Sequence, residues 1–210
     1  MVACPTCAHE NRDSAKFCEE CASPLSAPAR AIAEERKVVS ALFCDLVGFT
    51  SSSESADPED IRRMLDSYFT MVRAQIEAHG GVVEKFIGDA AVGVFGVPAS
   101  HEDDPERAVR AGLRIAEEAE KLTSLAGAPL RLRVGINTGE ALVRLGIERA
   151  SGEGFLAGDA VNTAARLQAA APEMGVAVGL STYEATAAPR RSTSSSFLAS
   201  SSSRASSDEC

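Results

Sequence analysis

The sequence predicts an α+β fold: an antiparallel sheet of the ferredoxin-like, split β-α-β type with its helices on one face, preceded by a small zinc ribbon. Between residues 38 and 179, strand-like and helix-like apolar patterns follow one another in the order β-α-β-β-α-β, with additions. Glycine turns and Asp-Pro dipeptides separate these patterns, as hairpin turns and helix starts do.

Composition narrows the class of protein. The chain has 210 residues, 45% hydrophobic and 24% charged, which suits one globular domain with attachments. Its net charge of −9 argues against a general nucleic-acid binder, because no basic stripe is available to neutralise phosphates. The apolar stretch Val38 to Val47 is broken at Ser40 and Asp45, far short of the ~20 residues of a membrane helix. With no signal-peptide pattern either, we expect a cytoplasmic protein without a membrane partner.

Residues 1–24 carry two Cys-x-x-Cys pairs ten residues apart, formed by Cys4, Cys7, Cys18 and Cys21. In a reducing compartment this spacing predicts a structural Cys₄ zinc site rather than disulfides. A module this small has little core, so metal binding would supply most of its folding energy, on the order of 10 kcal/mol. His9 is an alternative to one thiolate, although we expect it to be solvated. The predicted zinc ribbon stabilises the chain or docks to a partner that the sequence does not identify.

The first part of the main domain begins after a predicted linker at residues 25–37, which is rich in alanine and mixed charges. Val38 to Leu46 is predicted to be a buried strand. Asp57-Pro58 supplies a helix N-cap followed by proline at the first helical position. Apolar residues then recur three and four apart up to Ile76, and Gly80-Gly81 ends this helix.

A hairpin and a second helix come next. Val82 to Ile87 and Ala90 to Phe95 are predicted strands joined by a tight turn at Gly88-Asp89. The second helix is predicted to begin at Asp104-Pro105 and to extend through Leu122.

The last elements contain another predicted strand pair. Leu130 to Ile136 and Glu140 to Leu145 are predicted strands, joined across Asn137-Thr-Gly139. Asp159 to Ala169 has the pattern of a third helix, and Val176 to Gly179 that of a short final strand. The main domain is therefore assigned to residues 38–188.

Two short segments carry the chemistry. Phe43-Cys-Asp-Leu-Val-Gly-Phe-Thr50 and Lys85-Phe-Ile-Gly-Asp89 each bring one aspartate, Asp45 or Asp89, from an apolar strand into a glycine turn. A carboxylate is costly to bury unless it is paired or binds a cation, and two hard oxygen ligands suit Mg²⁺ or Mn²⁺. The adjacent glycines let backbone approach an anion such as a triphosphate. Taken singly, Asp45 also suits a turn cap and Asp89 an ordinary hairpin.

A third segment adds a second pair of candidate functional residues. Gly158-Asp-Ala-Val-Asn162-Thr-Ala-Ala-Arg166-Leu places Asn162 and Arg166 four apart on one helix face. An amide beside a guanidinium suits a ribose and a phosphate that gains charge, although such a pair alone is usually a solvated face. Together, the three segments resemble the catalytic domain of class III adenylate and guanylate cyclases, from about Val38 to Ala187. The cysteine module resembles the ribbon that precedes this domain in some bacterial members.

The resemblance implies conversion of ATP, with GTP not excluded, to 3′,5′-cyclic monophosphate and pyrophosphate. It implies two Mg²⁺ or Mn²⁺ ions held by Asp45 and Asp89, helped by the Leu46 carbonyl. Asn162 would orient the ribose, and Arg166 would meet charge on the α-phosphate. The β- and γ-phosphates would be held by the backbone amides around Val47, Gly48, Phe49 and Thr50.

In this family the metal aspartates and the Asn/Arg pair of one site come from different chains. The resemblance therefore implies a head-to-tail homodimer with two sites, and an inactive monomer.

Base recognition departs from the family pattern. Lys85 matches the purine-reading lysine, which can donate to adenine N1 or guanine O6 and favours ATP. A lysine extending from a strand for structural reasons is the alternative. The family's acceptor position, seven residues before Asn162, holds Phe155, which has no acceptor. Either discrimination is weak, or another group such as a backbone carbonyl accepts, or the loop aligns differently.

The C-terminus is the second departure. Residues 189–210 are rich in serine, cannot form a core and are predicted to be disordered. Family members continue with a hairpin that carries a phosphate-binding lysine, whereas this chain has no lysine after Lys121. We interpret the tail as the product of a reading-frame change, with a natural disordered linker as the alternative.

Two other functions compete with a cyclase. A catalytically impaired cyclase-like module that dimerises or binds nucleotide to regulate another protein is favoured by Phe155 and by the altered tail. A zinc-ribbon nucleic-acid adaptor fits poorly with the acidic charge. The complete set of Asp45, Asp89, Asn162 and Arg166 favours the enzyme.

Overall fold

The computed structural model of the chain describes residues 2–4, 6–23, 25, 33–145 and 156–187. The N-terminal module contains a small antiparallel pair, β1 (Val2–Ala3) with β2 (Glu10–Asn11). The other strands are β3 (Ala33–Leu46), β4 (Val82–Ile87), β5 (Ala90–Phe95), β6 (Leu132–Leu145), β7 (Leu156–Ala157) and β8 (Val176–Val178). The helices are α1 (Phe49–Ser53), α2 (Pro58–Ala78), α3 (Asp104–Ala119), α4 (Asp159–Ala170) and α5 (Leu180–Ala187). None of the helices in these ranges is long and apolar enough to span a bilayer.

Strands β3 to β8 form one curled sheet in the order β4-β5-β3-β6-β7, and β8 also pairs with β6. Neighbouring strands run antiparallel, as predicted, except that β8 runs parallel to β6. Strand β5 lies between β3 and β4, the two strands that α2 connects. The predicted bounds of β4 and β5 are found, and β3 includes all its predicted residues. Strand β6 begins at Leu132 instead of Leu130, β8 ends at Val178, and β7 was not predicted.

The predicted strand pair across Asn137-Thr-Gly139 is wrong, because β6 is one continuous strand of 14 residues. Asn137 and Gly139 stay in register with β3. The polar side chains in this segment form hydrogen bonds inside the fold instead of stabilising a turn. The Asn137 amide donates to the Ala160 carbonyl over 3.3 Å, and the Thr138 hydroxyl lies 2.8 Å from that of Ser40.

The N-terminal boundary of β3 also differs from the prediction. The strand begins at Ala33, so residues 33–37 belong to the sheet rather than to the linker. Its exposed end is tied to β6 by opposite charges: Glu34 contacts Arg144 at 3.0 Å, and Arg36 approaches Glu140 at 3.9 Å. Residue 24, residues 26–32 and the serine-rich tail from residue 188 onward lie outside the described residues.

Helix α2 begins and ends where its capping residues predict. The Asp57 carboxylate accepts from the Glu59 amide at 2.8 Å, and the helix ends before Gly80-Gly81. Helix α3 begins at Asp104 as predicted but ends at Ala119, before Leu122. Helices α1 and α5 were not predicted, because five and eight residues show too little periodicity to be recognised.

Helices cover both faces of the sheet, so the prediction that they lie on one face is wrong. On one face, residues of α2 and α3 pack against Leu42 and Cys44 of β3 and Ile136 of β6. On the other face, Ala164 of α4 packs with Val39, Ala41 and Val143. Residues 38–46 alternate between these faces, which is why β3 is buried on both sides.

Cys44 is part of the core between the sheet and helices α2 and α3. It is fully buried, and its thiol lies 3.0 Å from the Tyr68 hydroxyl. Burial raises the pKa of the Cys44 thiol to about 12, so it stays protonated and unreactive at neutral pH.

Helix α4 packs closely against β6 at Gly135, which has no side chain. A methyl group at Gly135 would clash with the backbone atoms of Ala164 and Gln168. Backbone atoms in a helix cannot move aside independently, so Gly135 sets how closely α4 approaches the sheet.

We therefore expect Gly135→Ala to destabilise the protein by about 2 kcal/mol or more, because the whole helix must shift. Chemical denaturation monitored by circular dichroism measures this change. Gly139→Ala is the matched control, since the contacts of its methyl group would be longer, with the Ala160 Cβ at 3.2 Å and the Ala160 Cα at 4.0 Å. Equal stabilities of the two variants would contradict this role of Gly135.

Candidate active site

The two predicted aspartates lie side by side. Asp45 is the last residue but one of β3, and Asp89 occupies the turn between β4 and β5. Because β3 and β5 are neighbours, with Cys44 opposite Ala91, the strand end and the turn meet at one edge. The two carboxyl groups are close enough for Asp89 to raise the pKa of Asp45.

The charge of this pair is poorly compensated. Burial, followed by the charge of Asp89 and the hydrogen bond with it, raises the pKa of Asp45 to about 6. A backbone hydrogen bond from Leu46 and the positive charge of Arg133 oppose this shift without cancelling it. Two adjacent oxygen ligands that repel each other fit a divalent cation, since the cation relieves the repulsion.

The loop after β3 turns sharply beside Asp45. Gly48 has φ 72°, a left-handed conformation, and caps the N-terminus of α1. Leu46 is buried and Phe49 packs against the core, whereas Thr50 is exposed. The Val47 amide donates to the Arg131 carbonyl at 2.8 Å, so this bond must open before the amide can donate to a phosphate, as predicted for it.

Asn162 and Arg166 lie on the outer side of α4. Ala160 and Ala164 of the same helix are buried, whereas Asn162 and Arg166 are exposed. The Arg166 guanidinium contacts its own helix, at 2.9 Å from the Thr163 hydroxyl and 3.9 Å from the Asp159 carboxylate. Among the described residues, no hydrogen bond or ion pair joins Asn162 or Arg166 to the two aspartates of the same chain.

Lys85 extends from β4 with its side chain one-third exposed, and its ammonium lies 3.5 Å from Glu84. Glu84 was not singled out from the sequence. Its side chain is fully buried, and one carboxylate oxygen accepts from the Leu156 amide at 3.2 Å. Phe155, the predicted departure at the base-reading position, lies outside the described residues.

Arg133 is a second residue that sequence reasoning missed. It pairs with Asp45 across the β3–β6 ladder, and its buried Nε has no hydrogen-bond partner among the described residues. The hairpin predicted across Asn137 and Gly139 concealed the continuous strand in which Arg133 lies opposite Asp45.

The cysteine module forms a separate candidate metal centre. The sulfur atoms of Cys4, Cys7, Cys18 and Cys21 all lie within 4.8 Å of one another and form no disulfide. The Cys4–Cys21 and Cys7–Cys18 sulfur pairs are each 3.6 Å apart. A tetrahedral site with Zn–S bonds of about 2.3 Å places its sulfurs about 3.8 Å apart, so the four residues fit a zinc ion.

Two similar backbone turns present these sulfurs. The Ala8 amide bonds to the Cys4 carbonyl, and the Ala22 amide bonds to the Cys18 carbonyl, both at 2.9 Å. Buried Asn11 joins the turns: its amide donates to the His9 carbonyl at 2.9 Å, and its oxygen accepts from the Glu19 amide at 2.9 Å.

Comparison with known proteins adds independent information. Residues 32–201 match the family described as the adenylate and guanylate cyclase catalytic domain. The chain is 33% identical over 147 residues to adenylate cyclase 1 of Rhizobium meliloti, covering 68% of this chain and 22% of the relative. It is 32% identical over 152 residues to the guanylate cyclase soluble subunit beta-2 of Rattus norvegicus, covering 71% of this chain and 22% of that relative. The chain thus spans about a fifth of the length of these curated relatives.

Solved structures show the same similarity. The crystal structure of the guanylyl cyclase Cya2 superposes with a TM-score of 0.65 at 32% identity, covering 73% of this chain and 80% of that chain. The adenylyl cyclase CyaB from P. aeruginosa gives a TM-score of 0.66 at 26% identity, with 74% and 83% covered.

The raised pKa of Asp45 predicts a pH-dependent stability. Its folded-state pKa lies above its ordinary value of 3.8, so the metal-free protein loses stability as pH rises through about 6. We expect Asp45→Asn to raise the melting temperature of metal-free protein at pH 8 and to have little effect at pH 4. Calorimetry in the presence of a chelator measures this.

Asp66→Asn is the matched control, because Asp66 is exposed on α2 and lies 3.8 Å from Arg62. An Asp45→Asn protein that is less stable than wild type at pH 8 would show that the carboxylate pair is not under repulsion.

Proposed function

Because this chain belongs to the adenylate and guanylate cyclase catalytic domain family, we propose that it converts ATP into 3′,5′-cyclic AMP and pyrophosphate, with GTP as the alternative substrate. One observation carries the proposal: Asp45 and Asp89 meet at one edge of the sheet, and their mutual repulsion calls for cations. The family is shared by adenylate and guanylate cyclases, so the choice of base is proposed from Lys85, which favours adenine.

We propose Asp45 and Asp89 as ligands of two Mg²⁺ or Mn²⁺ ions, with the Leu46 carbonyl as a further ligand. When bound, such ions make the ribose 3′-hydroxyl a better nucleophile and stabilise the leaving pyrophosphate. The Gly48, Phe49 and Thr50 amides at the start of α1 lack helical partners and are proposed to bind the β- and γ-phosphates.

In the proposed reaction, the ribose 3′-oxygen bonds to the α-phosphorus as its proton leaves to solvent. The bond from the α-phosphorus to the bridging oxygen of pyrophosphate breaks. Asn162 holds the ribose, and Arg166 donates to the α-phosphate oxygens as their charge increases.

A head-to-tail homodimer completes the site in this proposal. Asn162 and Arg166 face outward from α4, whose buried side is fixed against the sheet by Ala160 and Ala164. Arg166 is 74% exposed, which is unusual for a residue that must meet a transferring phosphate. A second chain that presents its α4 to the Asp45–Asp89 pair accounts for this exposure.

A regulatory, catalytically impaired module is the second candidate. It is favoured by Phe155, because this residue provides no acceptor for a base at a position where the family has one.

We also propose that the cysteine module binds one structural zinc ion through all four thiolates, which leaves no open position for catalysis. The 3.6 Å sulfur separations and the two similar turns support this proposal.

Complementation tests the enzyme and the dimer together. We expect wild-type protein to form cyclic product with Mn²⁺, and Asp45→Ala and Arg166→Ala each to be slower by ~100-fold or more. Mixing the two variants should restore about a quarter of the wild-type rate per chain, because about half of the dimers are mixed and each has one intact site. Cyclic product is measured by chromatography.

As a control, two preparations of the same variant are mixed and should stay inactive. Lack of any restoration would contradict a shared site, whereas a wild-type protein that binds ATP without forming product would support the regulatory module.

Zinc analysis tests the ribbon. We expect about one zinc ion per chain by elemental analysis, lost in Cys7→Ser because three thiolates hold zinc less tightly. His9→Ala is the matched control and should retain the metal, since the cluster consists of the four cysteines. Metal loss in both variants would contradict the four-thiolate assignment.

A further inference from the structure

We propose that Glu84 recognises the purine base, with its free carboxylate oxygen accepting a hydrogen bond from the amino group of the base while Lys85 donates to the adjacent ring acceptor. This inference rests on the proposed function, because it assigns a further residue to the nucleotide site.

The first observation is a buried oxygen atom without a hydrogen-bond partner. The Glu84 side chain is fully buried, and its Oε2 has no hydrogen-bond partner among the described residues. The other oxygen, Oε1, accepts from the Leu156 amide at 3.2 Å and lies 3.5 Å from the Lys85 ammonium. A buried carboxylate oxygen without a donor is strongly unfavourable, so Oε2 needs a donor from outside the described fold.

The second observation is the direction of the side chain. Neighbouring residues of a regular strand point to opposite faces, yet the side chains of Glu84 and Lys85 are in contact. The pairing of β4 with β5 shifts its register between Val83 and Lys85, so Glu84 is the extra residue of a bulge. Bulges re-aim side chains, and this one places an acceptor beside the Lys85 donor.

The third observation is the location of this pair. Lys85 pairs with Val92, and Val92 pairs with Phe43 on β3. Phe43 lies two residues before Asp45, so Lys85 and Asp45 belong to the same face of the sheet. A nucleotide whose phosphates lie at Asp45 can therefore place its base over β4.

The chemistry of a donor beside an acceptor matches the edge of an amino purine. Adenine presents the N1 acceptor next to the 6-amino donor, which suits an ammonium beside a carboxylate. Guanine presents O6 next to the N1–H donor, so the same pair accepts it through a ring N–H instead of an amino group. Phe155 has no acceptor, which makes Glu84 the side chain that supplies one.

A nucleotide that lacks the amino group provides the test. Binding of ATP is compared with that of purine riboside triphosphate, which lacks the 6-amino group, by equilibrium dialysis with Mn²⁺. We expect wild-type protein to prefer ATP by about 10-fold or more. Glu84→Gln keeps an oxygen for the Leu156 amide but places an NH₂ group at Oε2, and we expect the preference to fall to about two-fold or less.

Glu77→Gln on α2 is the matched control, because Glu77 is exposed and pairs only weakly with Arg73 at 3.9 Å. It should keep the wild-type preference. An equal loss of affinity for both nucleotides in Glu84→Gln would show a structural role and overturn the proposal, as would a wild-type protein without any preference. Because binding is measured apart from turnover, absence of cyclic product would contradict only the proposed activity.

Discussion

The unbroken pairing of β3 with β6 is the constraint on which the rest of the molecule depends. Each residue from Ala33 to Leu46 pairs with one residue of β6 without a bulge. This register places Arg133 beside Asp45 and puts Gly135, two residues further along, under α4. A shift of one residue would exchange the two faces of β6, moving α4 and the charge beside Asp45 together.

The candidate site consists of groups that destabilise the fold when the site has no bound ligand. Asp45, whose pKa is raised, and the unpartnered oxygen of Glu84 lie on the same face of the sheet. A cation would stabilise the first group, and a hydrogen-bond donor would stabilise the second. A metal–nucleotide complex carries both. Local strain of this kind is typical of binding sites, where the ligand supplies what the fold leaves unsatisfied.

Local patterns predicted the parts of the structure that local physics determines. The Asp57 cap, the Gly88-Asp89 turn and the cysteine spacing each need only a few adjacent residues. The continuous β6 was missed because the Asn137 segment looks like a turn, and its polar groups are satisfied by residues far away in sequence. The bulge at Glu84 was missed for the same reason, since a register shift exists only relative to a partner strand. The position of α4 depends on Gly135, whose role appears only once the helix is packed.

The outward direction of Asn162 and Arg166 has a consequence for signalling. If complete sites form only where two chains meet, then at protein concentrations well below the dissociation constant of the dimer the activity grows as the square of the protein concentration rather than in proportion to it. A partner that brings two chains together would then raise the rate of product formation, and a partner that covers the outer surface of α4 would lower it. Neither partner would need to contact the nucleotide.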